Sequence, residues 1–140
     1  FFDETVRVST FVTTTLTLLS SPTTTAMEET VQLTGGKVLT TENLPEVTFR
    51  FRLADLHLIR NKTALCTSVG DCFVQFAFST VSDMYGNQLP AQTAQITEFV
   101  RDEVAPNLVS YQVDMQTGQV SLSFDEAVNL TTLDLTQILH

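Results

Sequence analysis

The chain has 140 residues, 43% of them hydrophobic, and sixteen acidic against seven basic side chains give it a net charge of −9. That apolar content at single-domain length supplies a core and excludes a disordered chain, while so few, scattered basic residues exclude nucleic acid and anionic membrane surfaces as partners. No apolar run approaches the roughly 18 residues of a membrane span, so membrane insertion is not expected and the acidity reads as solubility.

Val, Leu and Phe dominate the apolar residues and Thr the polar ones, the balance of pleated, half-buried strands. In chain order, Thr13 to Leu19 is β-branched and apolar, and Ser20-Ser21-Pro22 ends it as a turn. Val31-Gln32-Leu33 and Lys37-Val38-Leu39 flank Thr34-Gly35-Gly36, which predicts a hairpin whose glycines take positive φ. Val47, Phe49, Phe51 and Leu53 alternate with Arg50 and Arg52, a half-buried antiparallel strand. Ala54 to Arg60 breaks the alternation; Leu56 and Ile59 after an Asp55 N-cap predict one helical turn bridging two sheets. Cys72, Val74, Phe76 and Phe78 resume the period of two, Asp83-Met84-Tyr85-Gly86-Asn87 is a turn, and Ile96 with its neighbours gives another strand. After the turn at Ala105-Pro106-Asn107, Val109, Tyr111 and Val113 give a further candidate strand, Gln116-Thr117-Gly118 a turn, and Val120, Leu122 and Phe124 the alternating pattern again. Short strands at regular spacing between such turns predict an all-β antiparallel sandwich.

An internal repeat gives the chain its organisation. Phe2-Asp3-Glu4-Thr5-Val6 matches Phe124-Asp125-Glu126-Ala127-Val128 at an offset of 122 residues, with identities continuing at Thr10/Thr132 and Thr14/Thr136. Conservative pairs Val8/Leu130, Ser9/Thr131, Phe11/Leu133 and Leu16/Ile138 keep the apolar spacing. A period near 122 fits one sandwich unit of about 100 residues plus longer loops. Residues 1–101 are then expected to form most of one unit and 102–140 the opening strands of the next. The boundary falls in Phe99 to Pro106, where charges cluster and a proline forces extended backbone. The opening Phe1-Phe2-Asp3-Glu4 is neither an initiator Met nor a signal peptide, so a window cut from a longer chain is expected. Strands missing from either unit would come from adjoining chain or from a neighbouring copy by strand addition.

Asp102-Glu103-Val104-Ala105-Pro106-Asn107-Leu108, followed by Gly118 to Val128, resembles the opening of bacterial-type immunoglobulin-like repeats, D-x-x-x-P continuing to L-x-F-x-E-x-V. Leu53 to Arg60, then Leu65, then Val81 to Asn87, is similar to the variant in flagellar-hair (mastigoneme) proteins of algae and other flagellates, and in related sexually induced surface proteins of diatoms. The resemblance implies an immunoglobulin-like fold and a structural, extracellular role at a cell or flagellar surface, with units stacked along a filament and self-association as the partner. The same opening occurs in adhesins and surface-layer proteins, which makes an adhesin-type module recognising a glycan or protein the alternative.

Cys66 and Cys72 flank a Gly-containing loop, Thr67 to Asp71, and an even cysteine count in a secreted β domain predicts a disulfide at a hairpin end rather than two buried thiols. A metal site there lacks ligands, since His57 alone does not supply them. Asn61-Lys62-Thr63 and Asn129-Leu130-Thr131 are N-glycosylation sequons, expected to carry glycans at Asn61 and Asn129 in a secretory compartment. Ser20 to Thr25 fits either an O-glycosylated stretch or an ordinary exposed loop. Asp3-Glu4, Asp102-Glu103, Asp125-Glu126, and Asp83 with Asn87 are acidic enough to raise calcium binding where units meet. None has the spacing of a calcium loop, so solvated turn carboxylates are the preferred reading and no cofactor is expected. Catalysis is not expected. The adjacent carboxylates point to opposite faces of a strand, the only histidines are His57 and His140, and no Gly-x-Ser-x-Gly elbow occurs.

Overall fold

The computed structural model describes residues 1–23 and 28–137, so Thr24 and Thr25 of the hydroxyl-rich stretch, Ile138 of the repeat pairing and His140 lie outside the described residues. The fold is antiparallel β with one short helix, and the chain divides into two compact units, Phe1–Arg101 and Asp102–His140.

The first unit opens with two 3-10 turns, Val8–Thr10 and Thr13–Thr15, before strand β1 (Leu16–Leu19). A strand expected from Thr13 therefore begins three residues later. The cause is local: the Thr10 and Thr15 hydroxyls donate back to the carbonyls of Arg7 (2.7 Å) and Val12 (2.6 Å), in competition with the ladder. β1 pairs on one side with β2 (Thr30–Gln32) and on the other with β5 (Phe73–Phe76), which in turn pairs β6 (Gln92–Gln95). The resulting four-stranded sheet has the order β2-β1-β5-β6. β3 (Gly36–Val38) and β4 (Phe49–Phe51) form a separate antiparallel pair, with Gly36 opposite Phe51.

The expected hairpin around Gly35-Gly36 is not formed, because β2 and β3 belong to different sheets. Neither glycine takes a positive φ, so the connection is a crossover rather than a tight turn. Gly36 is required by close approach: a Cβ there would lie 2.8 Å from the Arg50 carbonyl oxygen. Thr34, just before the glycines, donates from its N–H (2.9 Å) and hydroxyl (2.7 Å) to the two carboxylate oxygens of Asp55, pinning the crossover to the helix.

Helix α1 (Leu53–Arg60) runs for eight residues, longer than the single turn expected, and connects β4 to β5. Asp55 is not its N-cap. Arg52 holds that place without a side-chain cap, and Asp55 sits in the first turn, fully buried, on the face it shares with Ile59. The core cluster joins Leu16 and Leu18 of β1, Val31, Leu33, Ile59 and Leu65, with Phe11, Val74, Phe76 and both Phe49 and Phe51 of β4 packed against it. Phe49 stacks with Phe11 and Phe51 at ring separations of 5.6 Å, so the two sheets of this unit share one core.

The second unit is a hairpin, β7 (Leu108–Asp114) and β8 (Gln119–Phe124), followed by 3-10 turns at Leu130–Thr132 and Leu135–Gln137. Gly118 supplies a positive φ of 70° at the turn, and the Asp114 carboxylate accepts the N–H groups of Gln116 (2.8 Å) and Thr117 (3.2 Å). At the open end, Asp125 accepts from the Asn107 N–H (2.8 Å) and side-chain amide (2.9 Å).

The two pairs of 3-10 turns stand 122 residues apart, the offset of the sequence repeat. Part of their bonding corresponds. The Thr10 hydroxyl to Arg7 carbonyl bond (2.7 Å) matches Thr132 to Asn129 (2.8 Å), and the Phe11 N–H to Val8 carbonyl bond (3.1 Å) matches Leu133 to Leu130 (3.3 Å).

Candidate assembly surface and modification sites

Cys66 and Cys72 form a disulfide. The loop it closes is not a hairpin end: it leads from the helix into β5, containing a 3-10 turn at Val69–Asp71. Within it the Asp71 carboxylate accepts the N–H groups of Thr67 (2.9 Å) and Ser68 (2.7 Å) and the Thr67 hydroxyl, while Cys66 N–H donates to the Asp71 carbonyl (2.9 Å). Burial pushes the Asp71 carboxyl up, and the hydrogen bonds from Thr67 and Ser68 overcome it, leaving the carboxyl below its ordinary value. Cys66 itself sits at φ 52°, a left-handed conformation held by this bonding and the covalent link.

Both sequons are exposed and neither lies in a strand. Asn61 follows the last residue of α1, its N–H donating to the His57 carbonyl (3.1 Å), and the carboxylate of Glu29 captures the N–H groups of Thr63 (3.4 Å) and Ala64 (2.7 Å) just beyond. Asn129 caps a 3-10 turn: its carboxamide oxygen accepts from the Thr131 N–H (3.0 Å) and hydroxyl (2.7 Å). The acceptor amide and the hydroxyl of Asn-x-Thr are thus already adjacent at Asn129.

The Asp83 carboxylate serves its own turn. Asp83 accepts the N–H groups of Tyr85 and Asn87 (2.8 Å each) and the Asn87 side-chain amide (2.7 Å), and that amide chiefly holds its carboxyl below the ordinary value. Among the described residues no group of three or more His, Cys, Asp or Glu side chains is placed to hold a metal ion. His57 is half-buried on α1 with its Nε2 enclosed and without a hydrogen-bond partner.

Two surfaces remain whose composition is not that of ordinary solvent-facing structure. The β7–β8 register pairs Tyr111 with Leu122 and Val113 with Val120, so one face of the hairpin is apolar. The other carries Ser110, Gln112, Asp114, Gln119, Ser121 and Ser123. Tyr111 is 71% and Val113 50% exposed. In the first unit, a cleft of about 400 Å³ opens between the Phe1–Val6 segment and the stretch from Val81 to Gln92. Phe2 N–H donates to the Pro45 carbonyl (2.7 Å), Arg7 N–H to the Ser82 carbonyl (2.8 Å), and Val6 bridges Asp83, so this segment forms one wall. Alternation located both strands of the hairpin but not their pairing; the cleft has no signature in sequence because its walls are some 80 residues apart.

No helix among the described residues is long and apolar enough to cross a membrane, and the disulfide is of the kind that persists in an oxidising compartment. No family model, no curated protein and no solved structure matches the chain.

Proposed function

We propose that this chain is a structural repeat of an extracellular filament or surface appendage, built from immunoglobulin-like β-sandwich units and without catalytic activity. The observation that carries the reading is the recurrence at 122 residues of both a sequence segment and its hydrogen-bonded turns, as successive copies of one module require. Two antiparallel sheets sharing one core, joined by a crossover and a short helix, suit a sandwich. The similarity of Leu53–Arg60 and Val81–Asn87 to mastigoneme repeats supports a filament over a soluble binding domain. Glycans at Asn61 and Asn129 would cover faces not used in packing, and the Cys66–Cys72 bond suits secretion.

Electron microscopy of the native material, labelled with an antibody to the first unit, tests this reading. Label at regular intervals along filaments is expected. Label confined to isolated stalks on a cell surface would instead favour the adhesin-type module.

A further inference from the structure

We propose that Asp71 is the positioning residue of the Cys66–Cys72 pair: its carboxylate closes the loop without the covalent bond, so the two thiols stand ready and the disulfide is a reversible staple on a unit that stays folded without it. Both cysteines are placed by contacts other than each other. Cys66 follows Leu65, which is 1% exposed in the core, and itself packs against that cluster. Cys72 is buried and its carbonyl accepts the Ile96 N–H (3.1 Å), while the next residue, Phe73, lies in the ladder opposite Leu19 and Gln95. Across the neck of the loop the Cys66 N–H reaches the Asp71 carbonyl (2.9 Å).

Asp71 gathers the loop from within. One oxygen, Oδ1, accepts the N–H groups of Thr67 (2.9 Å) and Ser68 (2.7 Å), and the other, Oδ2, accepts the Thr67 hydroxyl. The Ser68 hydroxyl takes the Gly70 N–H (3.2 Å), and from β6 the Gln95 side-chain amide donates to the Val69 carbonyl (2.9 Å). None of these bonds passes through sulfur, so the left-handed turn at Cys66 (φ 52°) has support that outlasts the covalent link. A loop closed in advance removes the ordering cost from bond formation and raises the effective concentration of one thiol at the other. With a small-molecule disulfide as oxidant, the thiolate of one cysteine attacks it, expels one small thiolate and leaves a mixed disulfide. The second cysteine's thiolate then attacks the protein sulfur of that mixed disulfide and expels the other. Two protein thiols are oxidised, one disulfide is reduced to two thiols, and the two cysteine protons end on the leaving groups. The contacts invoked lie within one unit and stand whatever the chain builds.

The test equilibrates the full chain in glutathione buffers of varied oxidised-to-reduced ratio, quenches with an alkylating agent and reads the two states by mass spectrometry. Asp71→Ala is expected to lower the equilibrium constant for closing the bond by roughly tenfold, and Asp71→Asn, which keeps Oδ1, by less. Asp114→Ala, which removes a turn carboxylate of the other unit, should leave the constant unchanged. In the reduced wild-type chain the Thr67, Ser68 and Gly70 amides should exchange with deuterium more slowly than in the urea-unfolded chain, and the circular dichroism of the folded state should persist. An equal constant in Asp71→Ala and wild type, exchange of those amides at the unfolded rate once the bond is reduced, or unfolding on reduction would each overturn the proposal. The last two need no variant, so a substitution that fails to fold leaves the test intact.

Discussion

Asp55 shows how much one buried carboxylate can organise. Its two oxygens take the N–H and hydroxyl of Thr34, a residue 21 positions away, and so hold the sheet crossover against the helix. Removing the acceptor leaves two donors with no partner beside the core, so Asp55→Ala is expected to destabilise the first unit by about 3 kcal/mol. Asp55→Asn, which keeps one acceptor oxygen, should cost about half as much, and urea denaturation followed by circular dichroism distinguishes the two. The sequence marks an acidic residue at the start of a helix, and that much of Asp55 was legible. An N-cap and a first-turn carboxylate bound to a distant threonine share the same local pattern, so its partner was not. The disulfide was easier to read, because two cysteines six residues apart admit one intrachain pairing.

At the scale of elements, period-two alternation located β4, β5, β7 and β8 because each has one face set against apolar neighbours or built to be. β6 was visible only through adjacent Ile96, since all four of its residues are exposed and an edge strand with no buried face leaves no alternation. The Gly35-Gly36 pair misled for a different reason: glycine is demanded equally by a positive φ and by close backbone contact, and composition cannot separate them. Substitution separates them well. Gly36→Ala drives a methyl to 2.8 Å from the Arg50 carbonyl oxygen on the paired strand, and a loss of about 1–3 kcal/mol is expected in thermal melts. Gly35→Ala meets only the flexible Arg52 side chain at 3.8 Å without a positive φ, and should be neutral or stabilising by about 0.5 kcal/mol. Equal penalties at the two positions would show that the crossover geometry is wrong.

For the molecule as a whole, carboxylates are the fasteners of its turns. The Asn87 amide at Asp83, the Thr117 hydroxyl at Asp114 and the Thr136 hydroxyl at Asp134 each hold a carboxyl below its ordinary value of 3.8, as the bonds of Thr67 and Ser68 do at Asp71. Groups depressed in the folded state give stability that is complete above the unfolded value and is lost as pH falls through the folded one. Stability should thus be flat across neutral pH and fall below about pH 4, with Asp83→Asn reducing that fall; denaturant midpoints measured from pH 7 to pH 2 check it. The all-β class was legible because Thr, Val and Phe recur at strand spacing. The assignment of strands to three sheets was not, because it depends on pairings such as Leu18 with Val74 that bring together residues more than fifty positions apart.

The covalent link between Cys66 and Cys72 has a mechanical corollary. Pulled from its ends, residues 1–101 offer roughly 340 Å of extended backbone, of which the bond shortens the path by only about 20 Å. The link therefore leaves almost the whole unit extensible, and a pull along residues 1–101 would be opposed by non-covalent contacts such as the β1–β5 ladder.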